Sequence, residues 1–324
     1  MNLSIQQGRS YVQAERNFRA LILDLDGTLL SDSKEISRKN LEAIDSLKAI
    51  GVKIALFTGR DFELTRRYID VLELEGPHAL QNGAIVVTGD GSVLESRSVG
   101  RDICYHVIES AFDRQCDVLL RSSSSSVPNW FHRGPFIENP YLPFLQHNSE
   151  RTSFVTDLNS VIESENILQL DVTGPFEELR GLLEKLESLF QSGFSYSLLR
   201  TSEDLGFMET FWADMEDGPV LNEIMSKVDR WGLLSLFGRN VSKGEALNKF
   251  LQYHAFSAEE IVFIGDHFAD ISLMKRVGLA IAVKNAFEEV KAACHLETTS
   301  NNDNGVAEAI DRVFFHNQGA GDKR

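Results

Sequence analysis

From Phe18 onward the chain alternates short apolar runs with amphipathic stretches, the rhythm of βαβ units around a largely parallel sheet. Ala20-Leu21-Ile22-Leu23 reads as a first strand, Val52 to Phe57 as a second, Ile261 to Ile264 as a third and Leu279 to Val283 as a fourth. A helix is predicted from Arg38 to Ile50, with Ser37 as N-cap, Leu41, Ile44 and Leu47 as its buried stripe and Gly51 at C′. The next helix carries Leu64, Tyr68, Val71 and Leu72 and is closed by Gly76-Pro77. Further helices follow Lys243 and span Val306 to Phe314.

The rhythm changes at Asn82-Gly83-Ala84. Ala84 to Val87 and Ser92 to Leu94 flank Thr-Gly-Asp-Gly, which signals a hairpin rather than a crossover. An insertion therefore begins here. Within it the pattern predicts a helix at Asp102 to Arg114, a strand at Asp117 to Leu120 and an irregular stretch opening with Ser122 to Ser126. A strand at Ile167 to Val172, a helix at Phe176 to Phe190 and strands near Phe194 to Leu199 and Gly206 to Trp212 follow. A sheet with helices on one face is the simplest assembly of these pieces. The expected organisation is a flexible leader over 1–17, an α/β core formed by 18–84 and 213–324, and an inserted α/β domain over 85–212.

The 324 residues suffice for two domains, and an aromatic share of 9% with 25% charged residues is ordinary for a globular chain. No apolar run approaches the ~20 residues that span a bilayer. Met1 to Asn17 is polar and does not read as a secretory signal, so a cytoplasmic location is expected. Lys and Arg total 32 against 48 Asp and Glu, a net charge of −16 that disfavours nucleic acid and anionic membranes and favours small substrates. Cys104, Cys116 and Cys294 lie in no metal-type spacing and read as buried thiols in a reducing compartment.

Chemistry concentrates where the apolar strands stop. Asp24 and Asp26 follow the first strand on one face, roughly 6.5–7 Å apart if extended, with Gly27 free to turn the chain. The second strand ends at Thr58-Gly59-Arg60, the third at Gly265-Asp266 with Asp270 beyond, and Lys243 opens a helix. In open α/β sheets ligands bind beyond the carboxyl ends of the strands, so these groups can converge. Several carboxylates at short range raise one another's pKa, which calls for a cation; an all-oxygen set suits Mg²⁺ and a phosphorylated substrate. Asp24 then serves as nucleophile, forming an aspartyl phosphate, and Asp26 as acid and base. Thr58 holds a phosphate oxygen through its hydroxyl and backbone N–H, Lys243 neutralises charge and Asp266 anchors the metal. Taken singly, each motif has a structural alternative: an ordinary turn at Thr58 or Gly265, a surface lysine at 243, an Arg60 paired with Asp61 or Glu63.

Asp24-x-Asp26-Gly-Thr28, Thr58-Gly-Arg60, Lys243 and Gly265-Asp266-x-x-x-Asp270 resemble, in order and spacing, the four motifs of the haloacid dehalogenase superfamily. Asn82-Gly83-Ala84, the insert, Ser242 to Leu247 and Asn285-Ala286 are similar to its Cof-type phosphatases. The resemblance spans nearly all of Phe18 to Phe314 and is weakest inside the insert. It implies a Rossmann-like core with a mobile α/β cap, and a phosphomonoester hydrolase acting on a sugar phosphate, nucleotide or phosphorylated cofactor. It also implies Mg²⁺ held by the Asp24 side chain, the Asp26 carbonyl and Asp266, with Thr28 and Asp270 in support. Gly59, Arg60, Asn82 and Asn285 join Thr58 and Lys243 as implied substrate contacts.

Three departures from the family pattern stand out. His267 and Ala269 replace residues usual in the fourth motif, Lys284 replaces a glycine, and extra residues with an amphipathic stretch of Val220, Ile224, Met225 and Val228 precede Lys243. Two rival readings remain at this level: a sugar phosphomutase, and a phosphometabolite-binding protein whose catalysis has faded. Trp130 to His147 gathers Trp130, Phe131, His132, Arg133, Phe136, Tyr141, Phe144 and His147, a set that suits either a leaving-group contact or the insert's own core.

Overall fold

The structure, a computed structural model, describes residues 17–315 apart from 115, 124–129, 134–138, 142–144, 146, 202–225 and 227. Its strands are β1 (Ala20–Leu23), β2 (Lys53–Leu56), β3 (His78–Leu80), β4 (Ile85–Val87), β5 (Val93–Ser96), β6 (Asp117–Ser122) and β7 (Trp130–Arg133). The series continues with β8 (Thr152–Phe154), β9 (Ile167–Pro175), β10 (Phe194–Arg200), β11 (Trp231–Gly238), β12 (Ile261–Gly265), β13 (Leu279–Val283) and β14 (Leu296–Thr298).

A five-stranded parallel sheet runs β14-β13-β12-β1-β2. All four residues of β1 are fully buried, which is why this strand reads as a continuous apolar run: helices cover both faces of a parallel sheet. Helix α1 (Arg38–Ala49) starts where the Ser37 hydroxyl accepts from Asn40 N at 3.2 Å and ends before Gly51 at φ 84°. Helix α2 (Phe62–Leu72) is capped by Asp61, whose Oδ1 accepts from Leu64 N at 3.1 Å. Its buried face is Thr65, Tyr68, Ile69 and Leu72, whereas Val71 is 62% exposed. At 3.6 residues per turn, 71 falls away from the stripe that 65, 68 and 72 define.

A second, six-stranded sheet runs β10-β11-β9-β6-β7-β8. Helix α3 (Arg101–Asp113) and the helix Phe176–Phe190 cover one face, burying Val118, Leu120, Leu170, Val172, Leu234 and Leu236. One expectation needs correction here. Trp231–Gly238 lies beyond the predicted return to the core at 213, yet β11 pairs antiparallel with both β9 and β10. Alternation of Leu234 and Leu236 toward the helices places it in this sheet, so the chain leaves it only after Gly238. The predicted strand at Gly206 to Trp212 and the stretch through Met225 lie outside the described residues, while Val228 is buried.

β3, β4 and β5 form a small antiparallel sheet between the two larger ones, joined to the first by a Phe57–Ala79 bridge. The predicted start of the insertion at 85 therefore falls inside this sheet. Among the described residues no helix is long and apolar enough to cross a membrane.

Candidate active site

The site sits on the carboxyl edge of the parallel sheet. Asp24 follows β1 directly, and its N–H extends the ladder to Ile264 O at 3.0 Å. The chain then turns through Leu25 to Leu29, with Gly27 at φ 71°. A Cβ at Gly27 would lie 2.4 Å from Asp266 Oδ2, so only glycine lets the first turn approach the end of β12 this closely. Lys243 is the first residue of the helix Lys243–His254, whose N-cap Ser242 accepts from Glu245 N at 3.1 Å.

Lys243 is buried, and its Nζ stands 2.6 Å from Asp24 Oδ1 and 2.6 Å from Asp270 Oδ1. A cation at a helix N-terminus gains nothing from the dipole; two buried carboxylates explain it. Burial works against the charged ammonium, but Asp24 and Asp270 more than offset it and raise the Lys243 pKa. Asp270 Oδ2 accepts the N–H groups of Asp266 and His267 at 3.0 Å each, so this carboxylate holds both the lysine and the turn after β12. Thr28 donates its hydroxyl to Asp266 Oδ1 at 2.6 Å.

Burial is the largest cause pushing Asp24 up to about 7, with Asp270 adding to it and Lys243 opposing it. Asp266 is raised well above the usual carboxylate range by burial, then by Asp24 and Asp270. Oxygens of Asp24, Asp266 and Asp270 lie within 4.8 Å of one another. Hard oxygen donors this close, two of them disfavoured as anions, fit a small divalent cation. The oxygens of Asp270 are already engaged by Lys243 and two backbone amides, which leaves Asp24 and Asp266 as the side chains best placed to hold it.

Asp26 is in a different state. Arg60 meets it through two nitrogens, Nε to Oδ2 at 2.7 Å and Nη2 to Oδ1 at 2.6 Å, and Lys34 Nζ lies 3.1 Å from Oδ1. Burial alone would raise its pKa; Arg60 and then Lys34 overcome that and lower it. Arg60 therefore pairs with neither Asp61 nor Glu63, and Lys34 is a member of the site that no motif announced. Thr58 departs from expectation in one respect: its backbone N–H is spent on Ala79 O at 2.9 Å, and its Oγ1 accepts from Arg60 N at 3.2 Å. Its hydroxyl proton and the Gly59 N–H make no hydrogen bond among the described residues.

Asn82, at φ 55°, lines the cavity beside Gly59. Asn285 also reaches the cavity wall, but its amide donates to Gly27 O at 2.7 Å and its Oδ1 accepts from Asn301 N at 3.0 Å. It braces the Gly27 turn. His267 caps the short turn Phe268–Asp270 through Nδ1, accepting from Ala269 N at 3.4 Å, so the imidazole performs an N-cap's task. Lys284 is exposed and does not line the cavity.

A cavity of about 960 Å³ opens from Asp24, Asp26 and Lys243 to the face of the six-stranded sheet opposite α3 and the helix Phe176–Phe190. There Asp117 and Arg121 of β6, Asp171 of β9 and Ser235 of β11 face the site; no motif flagged them, though the even spacing of Asp117 and Arg121 along β6 was legible. The Trp130 to His147 segment divides its tasks. Phe131 packs into the insert's own core and His132 lines the cavity, while Arg133, Phe136 and Phe144 have side chains outside those described. Trp130 Nε1 donates to Asp61 Oδ2 at 3.1 Å, and Arg151 Nη2 reaches the same oxygen at 2.6 Å, fastening the two sheets together.

Parallel sheet, converging strand ends and inserted second sheet together define a haloacid dehalogenase-like hydrolase. The chain belongs to that family, whose pattern matches residues 21–310. It is similar to the putative phosphatase YxeH of Bacillus subtilis, 28% identical over 305 residues that cover 92% of this chain and 99% of the relative. The 5-amino-6-(5-phospho-D-ribitylamino)uracil phosphatase YitU of the same bacterium is 26% identical over 294 residues, 91% of this chain and 97% of the relative. A haloacid dehalogenase-like hydrolase from Bacteroides thetaiotaomicron shares the fold with a TM-score of 0.71 at 22% identity, over 92% of this chain and all of that one. Within the family this chain is a phosphatase of the Cof type.

Proposed function

We propose that the chain hydrolyses the phosphomonoester of a small phosphorylated metabolite through an aspartyl phosphate on Asp24, with Mg²⁺ as cofactor, in the cytoplasm. The observation that carries this reading is the position of Asp24: one carboxylate oxygen held by Lys243, Asp266 alongside, and the cavity in front. Asp24, Asp266 and the Asp26 backbone carbonyl would hold the ion, which when bound offsets the charge on the phosphoryl oxygens.

Asp24 attacks phosphorus, the alcohol leaves, and Asp26 supplies the proton that the departing oxygen takes up. Water then attacks the phosphoenzyme and returns a proton to Asp26, releasing phosphate and regenerating Asp24. Asp26 as it stands, ionised between Arg60 and Lys34, is in the form that accepts this proton. To donate in the first half it exchanges these partners for a proton and the leaving oxygen. The Thr58 hydroxyl and Gly59 N–H are available for phosphate oxygens, and Lys243 neutralises charge on Asp24 and the transferred group. We take the six-stranded sheet, returning to the core after Gly238, as the cap over this chemistry.

The test is phosphate release from p-nitrophenyl phosphate with Mg²⁺, compared between the natural chain and Asp24→Asn. Turnover by the former and loss in the latter support the proposal; equal rates end it.

A further inference from the structure

His267 follows Asp266 directly, and the chemistry just proposed uses none of its atoms. Two hydrogen bonds fix the residue. Its backbone N–H donates to Asp270 Oδ2 at 3.0 Å and its Nδ1 accepts from Ala269 N at 3.4 Å, the reciprocal pattern of a capping box around the turn Phe268–Asp270. Phe268 and Phe287, stacked on one another, meet the imidazole in T-shaped contacts with centroids 5.5 and 5.7 Å away. Backbone, ring nitrogen and ring plane are therefore all constrained.

A ring nitrogen that accepts carries no hydrogen, so the bond to Nδ1 makes Nε2 the N–H of the neutral ring. Nε2 has no hydrogen-bond partner among the described residues. It differs from the orphan nitrogens of His78 and His132, which are sealed in the interior, because His267 is half-buried and lines the cavity. The charged groups that act on the ring are Asp270 and Lys243, the same two that act on Asp24. The donor thus belongs to the end of the cavity where Asp24 stands. The N–H groups of Asp266, His267, Ala269 and Asp270 are all engaged within the turn, and Ala269 lines the cavity without a polar side chain. Nε2 is what this turn has left to offer a ligand.

We propose that His267 donates a hydrogen bond through Nε2–H to an oxygen of the transferred phosphoryl group. The imidazole divides two tasks between its nitrogens: Nδ1 caps the turn that carries Asp266 and Asp270, and Nε2 meets the substrate. A neutral donor suits this place. It stabilises phosphoryl oxygens without adding a second fixed cation that would repel a divalent ion held by Asp24 and Asp266. The inference rests on the phosphatase reading for where phosphorus sits, and on the capped ring for the identity of the donor.

Asn and Gln separate the two tasks, because the Asn amide reaches only as far as Nδ1 whereas the Gln amide nitrogen reaches the place of Nε2. Calorimetric titration with inorganic phosphate in the presence of Mg²⁺ compares the natural chain, His267→Asn and His267→Gln, with Tm measured on each. His267→Asn should keep its Tm and lose about tenfold in phosphate affinity, the cost of one hydrogen bond to a charged group. His267→Gln should lose Tm and keep the affinity of the natural chain. Equal affinity in all three proteins, or a loss confined to His267→Gln, overturns the proposal and leaves His267 a cap. Nitrogen NMR of the natural chain reads the donor itself: Nε2 should carry the hydrogen and its signal should move when phosphate is added. A ring with the hydrogen on Nδ1, or one that phosphate does not move, also overturns it. Phosphate binding that depends on His267 in a chain without turnover of p-nitrophenyl phosphate retains the donor and sinks the hydrolase; turnover with phosphate affinity indifferent to His267 does the reverse.

Discussion

Lys243 Nζ lies 2.6 Å from Asp24 Oδ1 across 219 positions of sequence, and this contact joins the first strand of the parallel sheet to the helix that follows the second sheet. Asp270 completes the arrangement on the other side of the ammonium. One cation therefore orients the proposed nucleophile and ties it to the turn after β12.

Replacing Lys243 with Met leaves two buried carboxylates without their partner. Removing one member of a buried pair costs ~3–5 kcal/mol, and urea unfolding of the metal-free protein should show a loss of that order. Phosphate release should fall with it, and added Mg²⁺ should recover part of the stability without the activity.

The raised pKa of Asp24 fixes the sign of a pH effect. Its ordinary value is 3.8 and burial carries it to about 7, so the folded metal-free protein retains a proton that the unfolded chain releases. That contribution is present below pH ~4 and is lost as pH rises toward ~7. Mg²⁺ competes with the proton for the same oxygens. The rise in Tm on adding Mg²⁺ should be larger at pH 8 than at pH 5, and an equal rise at both would contradict the assignment.

Asp26 and Asp266 separate chemistry from metal binding. Asp26→Ala keeps the backbone carbonyl and should retain Mg²⁺ affinity while turnover drops by roughly 10²–10⁴. Asp266→Ala should lose Mg²⁺ affinity by more than the roughly 10–100-fold typical of removing an outer-shell partner. Calorimetric titration of both variants decides; equal losses of affinity would remove the role given to Asp26.

The junction at Asp61 can be broken from the second sheet alone. Arg151→Met leaves Asp61 capping α2 but removes the guanidinium 2.6 Å from its Oδ2. Amide hydrogen exchange in Trp130 to Arg133 should speed up while α1 is unchanged. Uniform exchange across the chain would show that Arg151 contributes nothing specific to the junction.

Much of this was legible in the sequence, and the failures have physical causes. Asp24, Thr58 and Asp266 each end an apolar strand, so their convergence followed from a parallel sheet alone. Partners were harder. Thr58-Gly59-Arg60 placed the guanidinium near the site, but choosing Asp26 over Asp61 or Glu63 requires the turn at Gly27, which is tertiary. Trp231–Gly238 was grouped with the core without being read as a strand, and its apolar run does not say which sheet it joins; only the pairing with β9 and β10 decides. Asp117 and Arg121 on one strand, and Gln169, Asp171 and Thr173 on its neighbour, show the period of a one-sided wall, yet only the register sets them facing one another.

The most direct test is to quench the reaction in acid during turnover of p-nitrophenyl phosphate and locate the covalent phosphoryl group by mass spectrometry. The account predicts a hydroxylamine-labile phosphoryl on the peptide containing Asp24, absent from Asp24→Asn, which should not turn over. A phosphoryl group on another residue, or an Asp24→Asn protein as active as the natural one, would contradict it.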